Sequence, residues 1–320
     1  MFFRSYIMKS FILLLLSLVP LFALSENNAE WVQINIPVAC IRDGRGHSTE
    51  MTSQAVMGMP MRILENDGGE WLMLEAPDGY RGYVNVSSVV RKSESDMTAW
   101  RASQRLTVVS MPEVKVLSDT LNGMIRGNVV TELVNGSIVE GALGSGVYSH
   151  ITLPDGRNGW VRTEDMMSTD KWADQPFDAD AILDRCYYLM GTPYLWGACS
   201  TKSVDCSGLV RVAYYANGIL TRRDAREQIA IGQRIEPEDT AGLRSGDLLF
   251  FSQTPDGRIS HVAVYDNAGT YIHSSGRVKV NRMEASDPDF SARVYRGASR
   301  IDGMLDTDGI TKVINHPWFF

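Results

Sequence analysis

The spacing of apolar residues changes character near Thr169. Before it, short stretches alternate apolar and polar positions and run into Asp-Gly turns. Trp71 to Leu74 leads into PDGYRGYV (Pro77 to Val84), and Tyr148 to Leu153 leads into PDGRNGWV (Pro154 to Val161). The two octets are 77 residues apart and share Pro, Asp, both glycines and Val, with Tyr83 matched by Trp160. Upstream, Trp71 is matched by Tyr148. Alternation, an Asp-Gly turn and a second alternating strand make a β-hairpin. The duplication predicts two successive small all-β domains, about 30–92 and 104–168, in preference to one larger β domain with a chance echo.

After Thr169 the period becomes helical. DADAILDRCYYLMG offers an Asp N-cap, puts Ile182, Leu183, Cys186 and Leu189 on one face, and stops at Gly191. Cys186 on that face reads as a packed core thiol. A second helix is predicted from about Cys206 to Ala216, stopped by Asn217-Gly218. Strand-like runs follow at 246–251, 260–266, 270–275 and 293–298. Helices followed by a run of antiparallel strands predict an α+β domain, 176–320.

The ends and the charge narrow the setting. Residues 1–25 read as a signal peptide: Arg4 and Lys9, then an apolar core from Phe11 to Phe22, then Ala23-Leu24-Ser25. The apolar stretch is short for a membrane span, which needs about 20 residues. Cleavage would take the formal charge from -7 to -9 by removing two cations. An acidic chain without a basic run is a poor nucleic-acid binder. With no second long apolar segment, the mature chain is expected to be soluble and periplasmic or secreted, with no stable membrane span. The 4 cysteines, Cys40, Cys186, Cys199 and Cys206, form no CxxC pair, which weakens a structural zinc reading.

The chemistry centres on Cys206, in DCSGLV (205–210) at a predicted helix start. A helix N-terminus carries partial positive charge and free N–H groups that favour a thiolate and can later hold an oxyanion. A histidine would complete the pair. Of the 5 histidines, His47 and His150 fall in the β domains and His316 in the tail, while His261 and His273 lie on consecutive predicted strands. A four-residue hairpin loop would put those two on opposite faces. A three- or five-residue loop, or a bulge, would put His261 facing His273, so a catalytic pair requires an odd loop or a bulge. Asp205 beside the nucleophile should raise the cysteine pKa, so its side chain is expected to point toward something cationic, or to cap the helix.

GTPYLWG (191–197), DCSGLV, SHVAVY (260–265) and YIHSSG (271–276), in that order, resemble the NlpC-type cell-wall peptidases, which are papain-like cysteine peptidases that cut peptidoglycan stem peptides. The Gly-aromatic-Val strands resemble bacterial SH3-like barrels. By this resemblance Cys206 is the nucleophile, His261 the base and later the acid, and His273 the group that orients His261. Tyr194 supplies a hydroxyl to the oxyanion, and Trp196 shapes the cleft. Tandem barrels before such a domain resemble the γ-D-glutamyl-L-diamino acid endopeptidases acting on peptides with a free N-terminal L-alanine. There Asp205 and Ser207 would bind the ammonium, and the first barrel would lend Glu50 and Tyr80. RRDAREQ (222–228) matches a further family stretch, with Arg223, Asp224 and Gln228, and has Ala225 where some relatives carry serine.

The resemblance implies an exported peptidase on muropeptides, with no metal and no cofactor. An N-acetylmuramoyl-L-alanine amidase or acyltransferase on the same site, a non-catalytic wall-binding protein, and a zinc site at Cys206, His261 and His273 are the alternatives. Cys199 is expected to be a buried thiol, since a Cys199–Cys206 disulfide would silence the site. Trp318, Phe319 and Phe320 are expected to pack on the core.

Overall fold

The computed structural model describes residues 30–121 and 128–320. Residues 1–25, read as a signal peptide, lie outside the described residues.

The first β domain contains β1 (Trp31–Ile34), β2 (Val38–Arg42), β3 (Met51–Val56), β4 (Pro60–Glu65), β5 (Trp71–Glu75), β6 (Arg81–Asn85) and β7 (Val89–Lys92). Helix α1 (Glu94–Ala102) follows, closed by a capping box between Ser93 and Asp96, in a stretch where the sequence predicted no element. The second domain contains β8 (Arg105–Val108), β9 (Glu113–Leu117), β10 (Val129–Val134), β11 (Ile138–Gly141), β12 (Tyr148–Thr152), β13 (Asn158–Arg162) and β14 (Met166–Ser168). Strand order is β3-β2-β6-β5-β4-β1-β7 in the first and β10-β9-β13-β12-β11-β8-β14 in the second. Advancing each strand of the first order by seven reproduces the second, so the repeat in sequence is a repeat of topology.

The repeated octet makes the same turn twice. Ala76 N–H donates to the Tyr80 carbonyl and Leu153 N–H to the Arg157 carbonyl, both at 2.8 Å. Gly79 and Gly156 sit at φ 81° and 86°, where a side chain would be strained. The alternation buries Leu72, Leu74 and Val84 in one barrel and Ile151, Leu153 and Val161 in the other. The cores are not separate, however. Met57 belongs to the apolar cluster of the second barrel, and Val134 to that of the first. Ile138 N–H donates to the Met57 carbonyl across the junction at 3.0 Å.

The C-terminal domain opens with α2 (Thr169–Ala173) and α3 (Ala179–Tyr188), the latter capped by Asp178. A small hairpin, β15 (Cys199–Ser200) and β16 (Ser203–Val204), leads into α4 (Cys206–Tyr215). Then come β17 (Ile219–Thr221), α5 (Ala225–Gln228), β18 (Gln233–Ile235), β19 (Leu248–Ser252), β20 (Ile259–Tyr265), β21 (Thr270–Ser275), β22 (Arg277–Arg282), α6 (Pro288–Ser291), β23 (Val294–Arg300) and β24 (Ile310–Lys312). A six-stranded antiparallel sheet runs β18-β23-β19-β20-β21-β22, with α4 packed on β20 and β21. Helix α4 is buried from Cys206 to Tyr214, which makes it the spine of the domain. The fold is α+β and papain-like, behind two SH3-like barrels. Strands β18 and β24 are three residues long, too short to carry an alternation, while β22 does alternate (Val278, Val280) but follows β21 after a single residue and was passed over.

The first barrel is seated on the base of α4. Gly197, at φ 78°, lies so close to β3 that a Cβ there would fall 2.2 Å from the Met51 carbonyl oxygen. Cys199 N–H donates to Gln54 Oε1 at 3.0 Å, and Arg211 pairs with Asp78 at 2.8 Å with both side chains nearly buried. The C-terminal tail closes the assembly. Trp318 stands edge-on to Trp31, with ring centroids 5.1 Å apart, and Phe319 is fully buried between the domains. His316 meets the Pro77 carbonyl at 2.9 Å, so this histidine ties the tail to the first barrel.

Candidate active site

Cys206 is the first residue of α4, and Asp205 is its N-cap. Asp205 Oδ1 accepts from Gly208 N–H at 2.6 Å, and Oδ2 accepts from Gly197 N–H at 3.0 Å. The cation expected near Asp205 is supplied by the chain itself. Arg223 donates from Nη2 to Asp205 Oδ2 at 2.6 Å and from Nη1 to Ser207 Oγ at 2.8 Å. Both members of the pair are buried. Arg223 Nε also reaches Ser53 of the first barrel at 3.2 Å. One guanidinium therefore fixes the cap of the helix that starts at Cys206 and the docked barrel together. All 4 cysteines are free. Cys199 is only half-buried, in β15 rather than in a loop, and its thiol donates to the Gln54 carbonyl at 3.2 Å.

The histidines come from the β20–β21 hairpin. Tyr265 pairs with Tyr271, leaving a five-residue connection, which is one of the odd lengths the catalytic reading required. Continued back from Val264–Ile272, this register puts His261 and His273 on one face but offset diagonally, with Ala263 rather than His261 level with His273. The rings meet nearly at right angles, with His261 Nε2 2.7 Å from His273 Nδ1. A bulge falls beside His261, where Phe251 pairs with His261 and Ser252 with Ile259. His273 Nε2 in turn lies 2.8 Å from Asn281 Oδ1 on β22. The barrel histidines have a packing role: His47 stands edge-on to Trp71 and His150 to Trp160.

Burial dominates the electrostatics. It pushes the Cys206 thiol up to about 11, assisted by the Asp205 charge, while backbone N–H groups of Val262 and Ser207 pull the other way. The sequence had set the helix start, favouring thiolate, against Asp205, opposing it. Desolvation outweighs the helix start because the sulfur is withdrawn from water. Burial, then the charge of His273, holds His261 well below the usual histidine value. In the unliganded protein Cys206 is thus a thiol and His261 a neutral imidazole. Burial chiefly lowers His273 to about 4; Asn281 and Asp289 act against it, and Arg293 and Lys279 with it. Tyr194 is raised by burial first and then by Cys206 and Asp205, so its phenol keeps its proton and remains a donor.

A buried neutral histidine destabilises the fold once it must charge. The unfolded chain binds this proton near pH 6.5 and the folded chain only near 4, so stability is lost as pH falls through that window. For His273 the loss should approach about 3 kcal/mol. Urea midpoints at pH 7 and pH 4.5 should differ accordingly, and His273→Asn should shrink the difference. An equal acid shift in the variant would refute the assignment.

Cys206 opens onto a cleft of about 420 Å³, within the range of small-ligand sites. Its walls are Glu50, Thr52 and Tyr80 from the first barrel, Tyr194 and Trp196, Asp205 and Ser207, the segment Arg223 to Arg226, and Ile259 with Ser260. All the residues singled out in the sequence therefore border this cleft or, for His261 and His273, the hairpin behind it. Tyr80 lines it, whereas Tyr83 lies under Arg45, with the guanidinium 5.3 Å from the ring centroid. The sequence reading assigned no role to Arg223, Asp224, Arg226 or Asn281. Arg223 and Asp224 were marked only as members of the family-like stretch RRDAREQ, and nothing local pointed to Asp205, 18 positions away, as the partner of Arg223. Among the described residues no group of three His, Cys, Asp or Glu side chains is placed to hold a metal. The ring nitrogens of His261 and His273 point at each other, which leaves no common point for an ion.

Residues 191–298 match the model of the NlpC/P60 family, and residues 41–89 match that of the bacterial dipeptidyl-peptidase Sh3 domain. The C-terminal domain is an NlpC/P60 domain. Dipeptidyl-peptidase 6 of Lysinibacillus sphaericus is 28% identical to this chain over 250 residues, covering 75% of the chain and 86% of that relative. Gamma-D-glutamyl-L-lysine dipeptidyl-peptidase of Bacillus subtilis is 34% identical over 116 residues, 36% of the chain and 37% of the relative. An NlpC/P60 family protein from Bacillus cereus shares the fold, with a TM-score of 0.71 at 19% identity, over 84% of this chain and 99% of that one. Among the described residues no helix is long and apolar enough to cross a membrane.

Proposed function

We propose that the protein is an exported cysteine peptidase. It hydrolyses the bond between the γ-carboxyl of D-Glu and the L-diamino acid in stem peptides with a free N-terminal L-alanine. One observation carries this reading: the first barrel forms a wall of the cleft that holds Cys206 and brings Glu50 and Tyr80 into it. A barrel in that position shortens the cleft on one side and disfavours glycan-linked chains by bulk. The names of the two curated relatives, a dipeptidyl-peptidase and a γ-D-glutamyl-L-lysine dipeptidyl-peptidase, support the same choice.

The residues divide the work. Cys206 gives its proton to His261 as the sulfur attacks the γ-carbonyl carbon. The oxyanion that forms is met by N–H groups at the start of α4 and by the Tyr194 hydroxyl. His261 then returns the proton to the departing amine. Water, deprotonated by His261, hydrolyses the thioester and frees the sulfur. Asp205 and Ser207 border this site, but their oxygens are taken by Arg223. Recognition of the substrate ammonium therefore shifts to Glu50, the carboxylate of the cleft that lies outside both the Asp205–Arg223 and the Asp224–Arg226 pairs. Arg226, paired with Asp224 at 2.7 Å, offers a guanidinium for the α-carboxylate of D-Glu.

Defined stem peptides with free and acetylated N-termini, digested and read by mass spectrometry, test this. Cleavage after D-Glu should occur with the free amine, and acetylation should lower kcat/KM by at least about 100-fold. Equal cleavage of both, or release of L-alanine from the sugar, would favour an amidase and defeat the proposal.

A further inference from the structure

Beyond His273 the hydrogen bonds continue in one direction. Asn281 on β22 meets His273 Nε2 through Oδ1 at 2.8 Å and, through Nδ2, donates to both oxygens of Asp287 at 2.9 and 2.8 Å. Asp287 also caps α6, accepting from Asp289 N–H at 2.9 Å, and accepts from Arg282 N–H at 2.9 Å. Burial raises the Asp287 carboxyl, but these donors outweigh it and hold it below the usual range, so it is an acceptor only.

That single fact orders every proton in the chain. An acceptor-only carboxylate must face the Asn281 NH₂, which turns the amide oxygen toward His273. The oxygen accepts, so His273 carries its proton on Nε2 and presents a lone pair at Nδ1. His273 Nδ1 then accepts from His261 Nε2–H, which leaves Nδ1 of the neutral His261 unprotonated. That nitrogen is the one free to take the proton of Cys206.

We propose that Asn281 and Asp287 are positioning residues that set the tautomer of the catalytic base, so that the site is a chain Asp287–Asn281–His273–His261 ending at Cys206. The inference rests on the peptidase reading for its kinetic consequence but not for its structural one. Nothing in the sequence singled out Asn281 or Asp287, because the five residues between them cross from a strand to a helix cap.

The experiment uses the full chain and three variants. Asn281→Leu removes the acceptor at similar volume. Asp287→Ser keeps a cap for α6 but no longer spans to Asn281. Asp287→Asn keeps the size and lets the amide pair turn. Imidazole ¹⁵N chemical shifts report the tautomers without any substrate. In the native protein at pH 7 both rings should show a protonated Nε2 and a bare Nδ1, and Asn281→Leu and Asp287→Ser should show mixed tautomers at His261. With the stem peptide, kcat should fall about 10- to 100-fold with KM within about twofold, the loss expected when a group orienting a functional ring is removed. Asp287→Asn should recover part of that loss. Native-like His261 shifts and unchanged kcat in a folded Asn281→Leu protein would overturn the inference. If the native protein cleaves no stem peptide, the proposed function fails, while the ¹⁵N shifts still decide for or against the tautomer chain.

Discussion

Replacing Cys206 by alanine is expected to lower hydrolysis of the stem peptide by at least about 10⁴-fold in kcat, with substrate binding nearly intact. Removal of the nucleophile from a catalytic triad produces losses of that order, because the remaining groups have nothing to activate. The side chain is small and borders the cleft, so the fold should tolerate the change, and the thermal midpoint should stay close to that of the native protein. Alkylation offers a second view of the same sulfur. Because the unliganded pair is thiol and imidazole, inactivation by iodoacetamide should keep rising with pH between 6 and 9, as thiolate appears, and show no plateau below neutrality. Appreciable turnover by Cys206→Ala would remove the mechanism. A flat alkylation profile across that range would instead show an ion pair already present in the free protein.

The largest effect on stability is expected at Arg223. Its guanidinium is buried against Asp205 and is held by Ser207 and Ser53 as well. Arg223→Ala would leave the Asp205 carboxylate in the interior with only its neutral donors, from Gly197, Gly208 and Ser207. Breaking a buried pair from one side costs about 3–5 kcal/mol, whereas replacing both partners with neutral groups costs much less. Arg223→Met with Asp205→Asn should therefore be markedly more stable than Arg223→Ala alone, as read from denaturant midpoints followed by tryptophan fluorescence. Activity should be lost in both, because the start of α4 and the barrel wall are held by the same side chain. If Arg223→Ala unfolds within about 1 kcal/mol of the native protein, the pair is not what fixes the helix cap.

The two halves of the molecule differed in how much of them could be read in advance. The barrels were legible because a turn leaves a local signature: Asp78-Gly79 and Asp155-Gly156 need a left-handed glycine and an Asp that bonds two residues on. Cys206 and the two histidines were legible as residue types at an identifiable helix start and on consecutive strands. Their relation was only partly so, since the hairpin length decided the face, and DNAG fits four or five residues equally well. Groups that act across the chain left no trace. Arg211 finds Asp78, and Arg223 finds Asp205, through tertiary packing that no spacing encodes. The Asp205 contribution to the raised thiol pKa was legible from adjacency, but the larger contribution of burial was not, because burial depends on what the barrel and the sheet place over the sulfur.

Met57 and Val134 have exchanged barrels. Each half of the duplication is therefore missing a piece of its own interior, and each carries the other's. Neither could be cut out and grafted elsewhere as a free-standing module without leaving a hole where the neighbour's side chain had been. What began as two copies of one unit has become mutually dependent, and sequence drift at Met57 or Val134 is answerable to the opposite copy.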